Sequence, residues 1–463
     1  MKRFWLVLLS LGLIVAFSTS AMAVDVKFNG EYYAAGMYLD KTSLKKDDGS
    51  STAFYFQRLR LGTEFVVSPG LKLVTRADIM ERAWGANRTN AYVATSLTNP
   101  APTIDVMSAG TRAENENIAF DLLYVSYVSP IGMFNVGYQI DDVWGTVWGN
   151  SSNPKGKIAY FFKTGGLTLI LQAGKDKELS RSATNLAGDA DKDQSFYTAA
   201  GVYSWKTGEA GLLFKYIKNN QFRNAYGFLA QDAGFTWDGL ITTPYVKAKL
   251  GPVALQAQIY YLYGEQSYEG NMALRGNLPD VDLNQLTAWI DATVDLGKFY
   301  VGGSLAYVSG DDPDTLDEQE GGVLNGGLDY NPCLIMFNSD LNYWTGNLMG
   351  HNGAGGAVGS TVNNQMSNAY FAQLRAGVKP IDKLDIMASV SYATADKTPQ
   401  AGWDSREYGY EIDLTATYKI TNNLSYMLGG GYWIVGDYYT GTAAPGQDVD
   451  DNFMVINKLT LTF

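Results

Sequence analysis

Arg58 and Arg60 stand two residues apart and are followed by Glu64. Beyond a Pro-Gly pair come Lys72, Arg76, Asp78 and Arg82, again at even spacing. In extended chain, residues two apart share a face. Two neighbouring strands would therefore turn four arginines, one lysine and two carboxylates onto one surface. Farther on, Arg375, Asp291, Glu411 and Asp413 fall on the polar parity of their own segments, as do Glu31, Lys215, Lys247 and Lys249. Groups of this kind at this spacing set an electric field. A basic wall facing an acidic one would attract and orient charged solutes, whereas a ladder of mutually neutralised pairs would only stiffen the wall. The sequence leaves both readings open.

Covalent chemistry has little to work with. Hydrolysis on a histidine base needs a nucleophile or an acid at hand, and the one histidine, His351, sits in the Gly-rich "MGHNGAGG" with no evident partner. No enzyme is expected. Cys333 is the single cysteine, so no intramolecular disulfide forms. Asp189, Asp191 and Asp193 in "DADKDQ" are spaced like the first half of a calcium loop, but the glycine and closing glutamate are missing. These acids, with those of 309–320 and 448–451, read as solvated loops; divalent bridges to lipopolysaccharide phosphates are the alternative. No metal or cofactor is expected. A net charge of −12 disfavours nucleic acid.

The elements that must position these charges can be read from the chain. Lys2 and Arg3, the apolar run from Phe4 to Phe17 and the small-x-small "AMA" at 21–23 make 1–23 a secretory signal peptide. Residues 24–463 then form one domain. It has no apolar run long enough for a helical span, yet aromatics make up 13% of the chain, with 31 Tyr and 50 Gly. Alternation is strict in places. Tyr408, Tyr410, Ile412, Leu414, Ala416, Tyr418 and Ile420 share one parity; Glu411, Asp413, Thr415 and Thr417 share the other. The segment at 285–296 repeats this, with Leu286, Ala288, Ile290 and Ala292 on one side and Gln285, Thr287, Trp289 and Asp291 on the other. Tight joints such as "SPG", "SPIG", "KTGG", "LGP" and "TNN" alternate with long polar ones. An even number of strands with short turns at one end and long loops at the other describes an all-β, transmembrane, antiparallel up-and-down barrel in an outer membrane. The count is about 18 strands with no plug domain, or 16 if 195–218 is loop. The closing "NKLTLTF" alternates up to Phe463, as a last strand paired with the first would, and its terminal aromatic suits recognition by the barrel-insertion machinery.

Two loops are expected to narrow the bore. The first is 310–367, whose apolar "CLIMF" (333–337) and aromatics Tyr343 and Trp344 would be a liability in water. The second is 86–118.

The stretches "FYFQRLRLGTEFVVSPGLKLVTRADIMERAWG", "KTGEAGLLFKYI", "AYVSGDDPDT", "DYNPCLIMF" and the closing "DLTATYKITNNLSYMLGGGYW" with "NKLTLTF" resemble porin-like outer-membrane proteins of sulfate- and metal-reducing proteobacteria. These are distantly similar to the alginate-export barrels, which have 18 strands and an arginine-rich lumen. The resemblance implies a water-filled channel for passive diffusion of small hydrophilic solutes, anionic ones among them. An export or uptake channel for an anionic polysaccharide is the alternative it allows. Outer-membrane lipid and lipopolysaccharide would surround the barrel, with trimer and monomer both open.

Overall fold

The computed structural model describes residues 24–85, 118–179, 192–223, 234–268, 279–355, 362–442 and 444–463. The leader at 1–23, the 86–117 segment, Asp189 and Asp191 lie outside them.

Alternating sequence becomes long antiparallel strands: β1 (Asp25–Leu39), β2 (Thr52–Ser68), β3 (Leu71–Ala83), β4 (Ile118–Ser129), β5 (Gly132–Asp141), β6 (Asn153–Thr164), β7 (Leu167–Glu178), β8 (Asp193–Trp205) and β9 (Gly208–Asn219). They continue as β10 (Phe235–Leu250), β11 (Val253–Tyr268), β12 (Val281–Asp295), β13 (Phe299–Val308), β14 (Ala369–Ile381), β15 (Leu384–Ala395), β16 (Glu407–Lys419), β17 (Leu424–Val435) and β18 (Asn452–Thr462). The sheet has nineteen segments; one is a two-residue parallel pairing of Glu318–Gln319 with β12, and the other eighteen are the staves of the barrel. Eighteen is therefore the strand number. The sixteen-strand alternative fails because β8 and β9 pair along their whole length. Joints of two to four residues connect the staves at one end, as the turn chemistry requires. Gly251, for example, supplies the left-handed φ of +63° between β10 and β11.

The barrel closes through its ends. β1 pairs with β2 on one side and with β18 on the other, from Glu31 opposite Thr462 to Leu39 opposite Met454. Phe463 and Gly30 exchange backbone hydrogen bonds of 2.9 and 3.0 Å. A Cβ on Gly30 would come within 2.6 Å of the Phe463 ring, so the bare glycine is what lets the terminal aromatic lie across the seam. One parity faces out as an apolar belt, with Phe120, Leu374, Leu414 and Ile412 largely exposed. A belt of this kind belongs in hydrocarbon, where an arginine would cost about 2–4 kcal/mol at mid-depth.

Tyr408 departs from the expected outward set. Gly409 takes φ +114° and the register slips there, so Tyr408 is the extra residue of a bulge and turns inward. It is fully buried, and its hydroxyl donates to the Asn368 carbonyl at 2.8 Å.

Two loops fill one side of the interior. The longest, 309–368, carries the apolar run inward as expected. Ile335, Met336 and Phe337 are fully buried. Phe337 meets Phe371 of β14 and Tyr408 edge-on, and Trp344 in the short helix α1 (Ser339–Thr345) packs on Phe56 of β2 at 4.3 Å. The second loop, 142–152, was not expected. It reaches from β5–β6 to the β10–β12 wall, where Trp144 Nε1 donates to the Thr243 carbonyl (3.0 Å), Thr146 binds Gln258 and Trp148 Nε1 donates to Thr287 (3.1 Å). The loops are zipped together by Gly149 N to Gly326 O and Asp329 N to Asn150 O, both 2.9 Å. At Gly327 φ is +80° and a Cβ would lie 2.2 Å from the Asn150 carbonyl. Gly327→Ala should therefore cost roughly 1–2 kcal/mol in backbone strain alone. The expected outcome is faster chymotrypsin cleavage within 309–368 while the barrel keeps its heat-modifiable gel migration.

Candidate functional site: the uncovered inner wall

The loops pack against β10–β17 and the outer end of β1–β2. The inner faces of β2–β4 stay lined with charge, and a second charged cluster lies on β5–β9. Arg60 binds Asp78 with two bonds of 2.7 Å, and Lys72 binds Glu64 at 2.7 Å. Arg58 reaches Glu81 at 3.3 Å, and Arg76 clasps Asp121 through both its Nε and its terminal nitrogen. The side chains of Arg58 and Arg76 are each 20% exposed, those of Arg60 and Lys72 33% and 37%. The three arginine pairs are largely covered, with carboxylates only 13–15% exposed, and Lys72–Glu64 is the wettest. For covered pairs desolvation offsets much of the Coulomb gain. Their effect is on the field: a cation with its counter-charge beside it presents a dipole to the bore.

Two of the four partners come from bulges. Between Ile79 and Arg82 of β3, two residues oppose the single Arg58, and Met80 takes φ +53°. The extra residue carries Glu81 onto the inner face beside Arg58. It also moves Arg82 to the parity of its register partner Gln57, which is the face of Leu59. The expectation that Arg82 lines the pore is corrected by this slip. Arg82 is buried, and among the described residues its Nε and one terminal nitrogen have no partner. In β4, Asp121 and Leu122 together oppose Arg76, which brings Asp121 inward as well. Strict alternation cannot find either acid, because a bulge shows only in the pairing.

The remaining predicted residues separate. Arg375 and Asp291 form a bidentate pair at 2.7 and 2.9 Å across β14 and β12. Glu411 and Asp413 face inward but lie beneath the long loop. Glu411 accepts from the backbone N–H of Ile335 (2.7 Å) and Met336 (2.6 Å), so it docks the loop and does not line open water. Cys333 sits at the same contact, and burial, with Glu411 and Asp413 nearby, pushes its thiol well above the ordinary range. Labelling by a hydrophilic maleimide at pH 8 should be very slow in the folded protein and should accelerate in Glu411→Ala, where two buried N–H groups lose their acceptor.

A second charged cluster was invisible to parity reasoning except for Lys215. Lys157 Nζ lies 2.6 Å from Asp141; Lys215 binds Asp141 (2.6 Å) and Asp142 (2.8 Å); Lys155 binds Asp142 (2.8 Å) and Asp176 (3.3 Å). Burial works against the charge on Asp142, but Lys215 and Lys155 outweigh it and hold the carboxyl well below its usual range. The stability this gives is present above the ordinary carboxylate pKa of about 4. It is lost only as pH falls well below that, so the 142–152 loop should stay docked in mild acid. The sequence signal that could have found this loop was "DDVWGTVWG", two tryptophans in a glycine-rich joint.

Among the described residues no group of three metal-ligating side chains occurs. The His351 ring nitrogen Nε2 lies 3.1 Å from the Asp448 carbonyl. In the outer loops Asp312 pairs with Lys397 (2.6 Å) and Asp450 with Lys41 (2.9 Å).

No family model matches the chain, and no curated protein matches it by sequence. Solved structures do match by fold. OccAB1 of Acinetobacter baumannii is 11% identical, with 95% of this chain and 97% of that one covered and a TM-score of 0.51. OccK8 (OprE) of Pseudomonas aeruginosa is 10% identical, with 95% and 98% covered and a TM-score of 0.51. OccK9 (OpdG) of the same organism is 12% identical, with 94% and 99% covered and a TM-score of 0.50. The likeness is one of fold.

Proposed function

We propose that this chain is an outer-membrane porin, a water-filled channel through which small hydrophilic solutes, anions among them, diffuse passively. One observation carries the reading: inside a closed barrel with an apolar outer belt, a wall of partly exposed ion pairs on β2–β4 is left beside the inward loops. A channel for an anionic polymer wants a continuous run of unpaired cations, and Arg58, Arg60, Lys72 and Arg76 each have a carboxylate beside them. Nothing in the site asks for catalysis. In this reading the 1–23 leader exports the chain, Phe463 addresses it to the insertion machinery, and the outer loops meet lipopolysaccharide.

The test is reconstitution of the detergent-purified full-length mature chain in planar bilayers. Discrete, voltage-independent current steps are expected, and absence of current in every salt would overturn the proposal. Gel mass before and after heating decides between monomer and trimer.

A further inference from the structure

The wall between β5 and β10 holds a row that a purely aqueous bore does not need. Register places Met133 opposite Phe161, Phe161 opposite Ile170, Ile170 opposite Ala200, Ala200 opposite Leu213, and Leu213 opposite Thr243. Residues opposed across a ladder share a face. This is the inner face, because Lys215, two residues beyond Leu213, meets Asp141 there, while Leu212 and Phe214 on the opposite parity are exposed outside and Thr243 is fully buried. An apolar rung thus runs across neighbouring staves and looks into the bore. Its middle, Phe161, Ile170, Ala200 and Leu213, bounds a cavity of about 550 Å³, together with the Lys155–Lys157–Lys215 cluster and with Trp144 and Leu324 from the two inward loops.

The lining shows which solutes suit it. Each charge of the cluster has an opposite charge within 3.3 Å. An ion settling there would gain little unless it displaced a partner, and breaking a buried pair leaves an uncompensated charge. A neutral molecule breaks none. Neutral hydrogen-bonding capacity is present: the Asn135, Gln172 and Gln194 amides line the space. The volume falls within the range of small-molecule sites, which are mostly apolar with a few placed polar groups.

We propose that this cavity is a transit-binding site for small uncharged solutes that join an apolar ring or chain to one hydrogen-bonding end. The proposal rests on the channel reading above. The apolar body lies on Phe161, Ile170 and Leu213, and the polar end meets Asn135 or Gln172. Charged solutes of the same size pass along the ion-pair wall of β2–β4 without stopping here.

The probe is 4-methylphenol, added to single channels in a planar bilayer at neutral pH, with benzoate and benzylammonium as charged counterparts. Expected are resolved current interruptions whose frequency rises with 4-methylphenol concentration and which the two ions do not produce. In Ile170→Gln/Leu213→Gln the dwell time should fall roughly tenfold, because amides replace the apolar contact surface. In Arg58→Ala/Arg76→Ala it should not change. Heat-modifiable gel migration identifies variants that have folded. Steady current without interruptions overturns the site and leaves the channel standing. Interruptions by benzoate or benzylammonium as long as those by 4-methylphenol, or dwell times unchanged in the apolar-rung variant, overturn the solute class or its location. If no current flows at all, the channel reading fails, and saturation-transfer NMR on the detergent-solubilised protein still reads the site. No transfer to 4-methylphenol would then overturn it too.

Discussion

Replacing Arg58 and Arg76 together with alanine should move the reversal potential across a salt gradient towards cations. The two guanidiniums are the counter-charges of Glu81 and Asp121, and all four groups are partly wet. Removing the arginines strips no free positive track; it uncovers two carboxylates on neighbouring strands. At a distance of about 5 Å, one uncovered charge changes the energy of a passing ion by about 0.8 kcal/mol in bulk water and by about 3 kcal/mol at the effective dielectric near a protein surface, so at least a roughly fourfold change in local concentration is expected. The mirror experiment, Glu81→Gln with Asp121→Asn, should shift the potential by a similar amount towards anions. Both shifts should shrink in molar salt, where screening falls to about 3 Å. If the arginine double variant keeps the parental reversal potential, these pairs do not face the conducting path.

Phe337→Ala should give the largest change in conductance. Phe337 is fully buried between the inward loop and the ring edges of Phe371 and Tyr408. Truncating a buried phenylalanine costs roughly 3–5 kcal/mol. That loss falls on the docking of 309–368, while the eighteen staves keep their own ladders. The loop should leave the wall part of the time, and single-channel current should become larger and noisier. Glu411→Ala should act in the same direction, since each buried N–H left without an acceptor costs about 1–3 kcal/mol. Parental conductance and noise in both variants would mean that the loop does not narrow the path.

Much of the barrel was legible because its signal is repeated. The parity of 285–296 survives intact: Gln285, Thr287, Trp289 and Asp291 face inward and Ile290 faces out. Turn residues located every tight joint between described staves, and the apolar run at 333–337 disclosed the inward loop before any contact was known. The site was less legible, for reasons that lie in its construction. Glu81 and Asp121 reach the bore only through bulges, and Arg82 leaves it by the same device. A bulge depends on two strands at once, so a single strand's periodicity cannot show it. Asp141, Asp142, Lys155 and Lys157 are ordinary charges near a loop until the 142–152 segment crosses the lumen and closes over them. Glu411 and Asp413 were placed on the correct face, but their role depends on which loop covers them.

The 142–152 loop ties β5–β6 to β10–β12, and α1 of the long loop ties β12–β14 to β2. A hollow tube of this width would flatten under lateral pressure from its surroundings. Struts fixed at both ends oppose that, as spokes keep a rim round. Current through the parental protein should therefore depend little on the stiffness or thickness of the supporting bilayer, and that indifference should vanish once the spokes are cut.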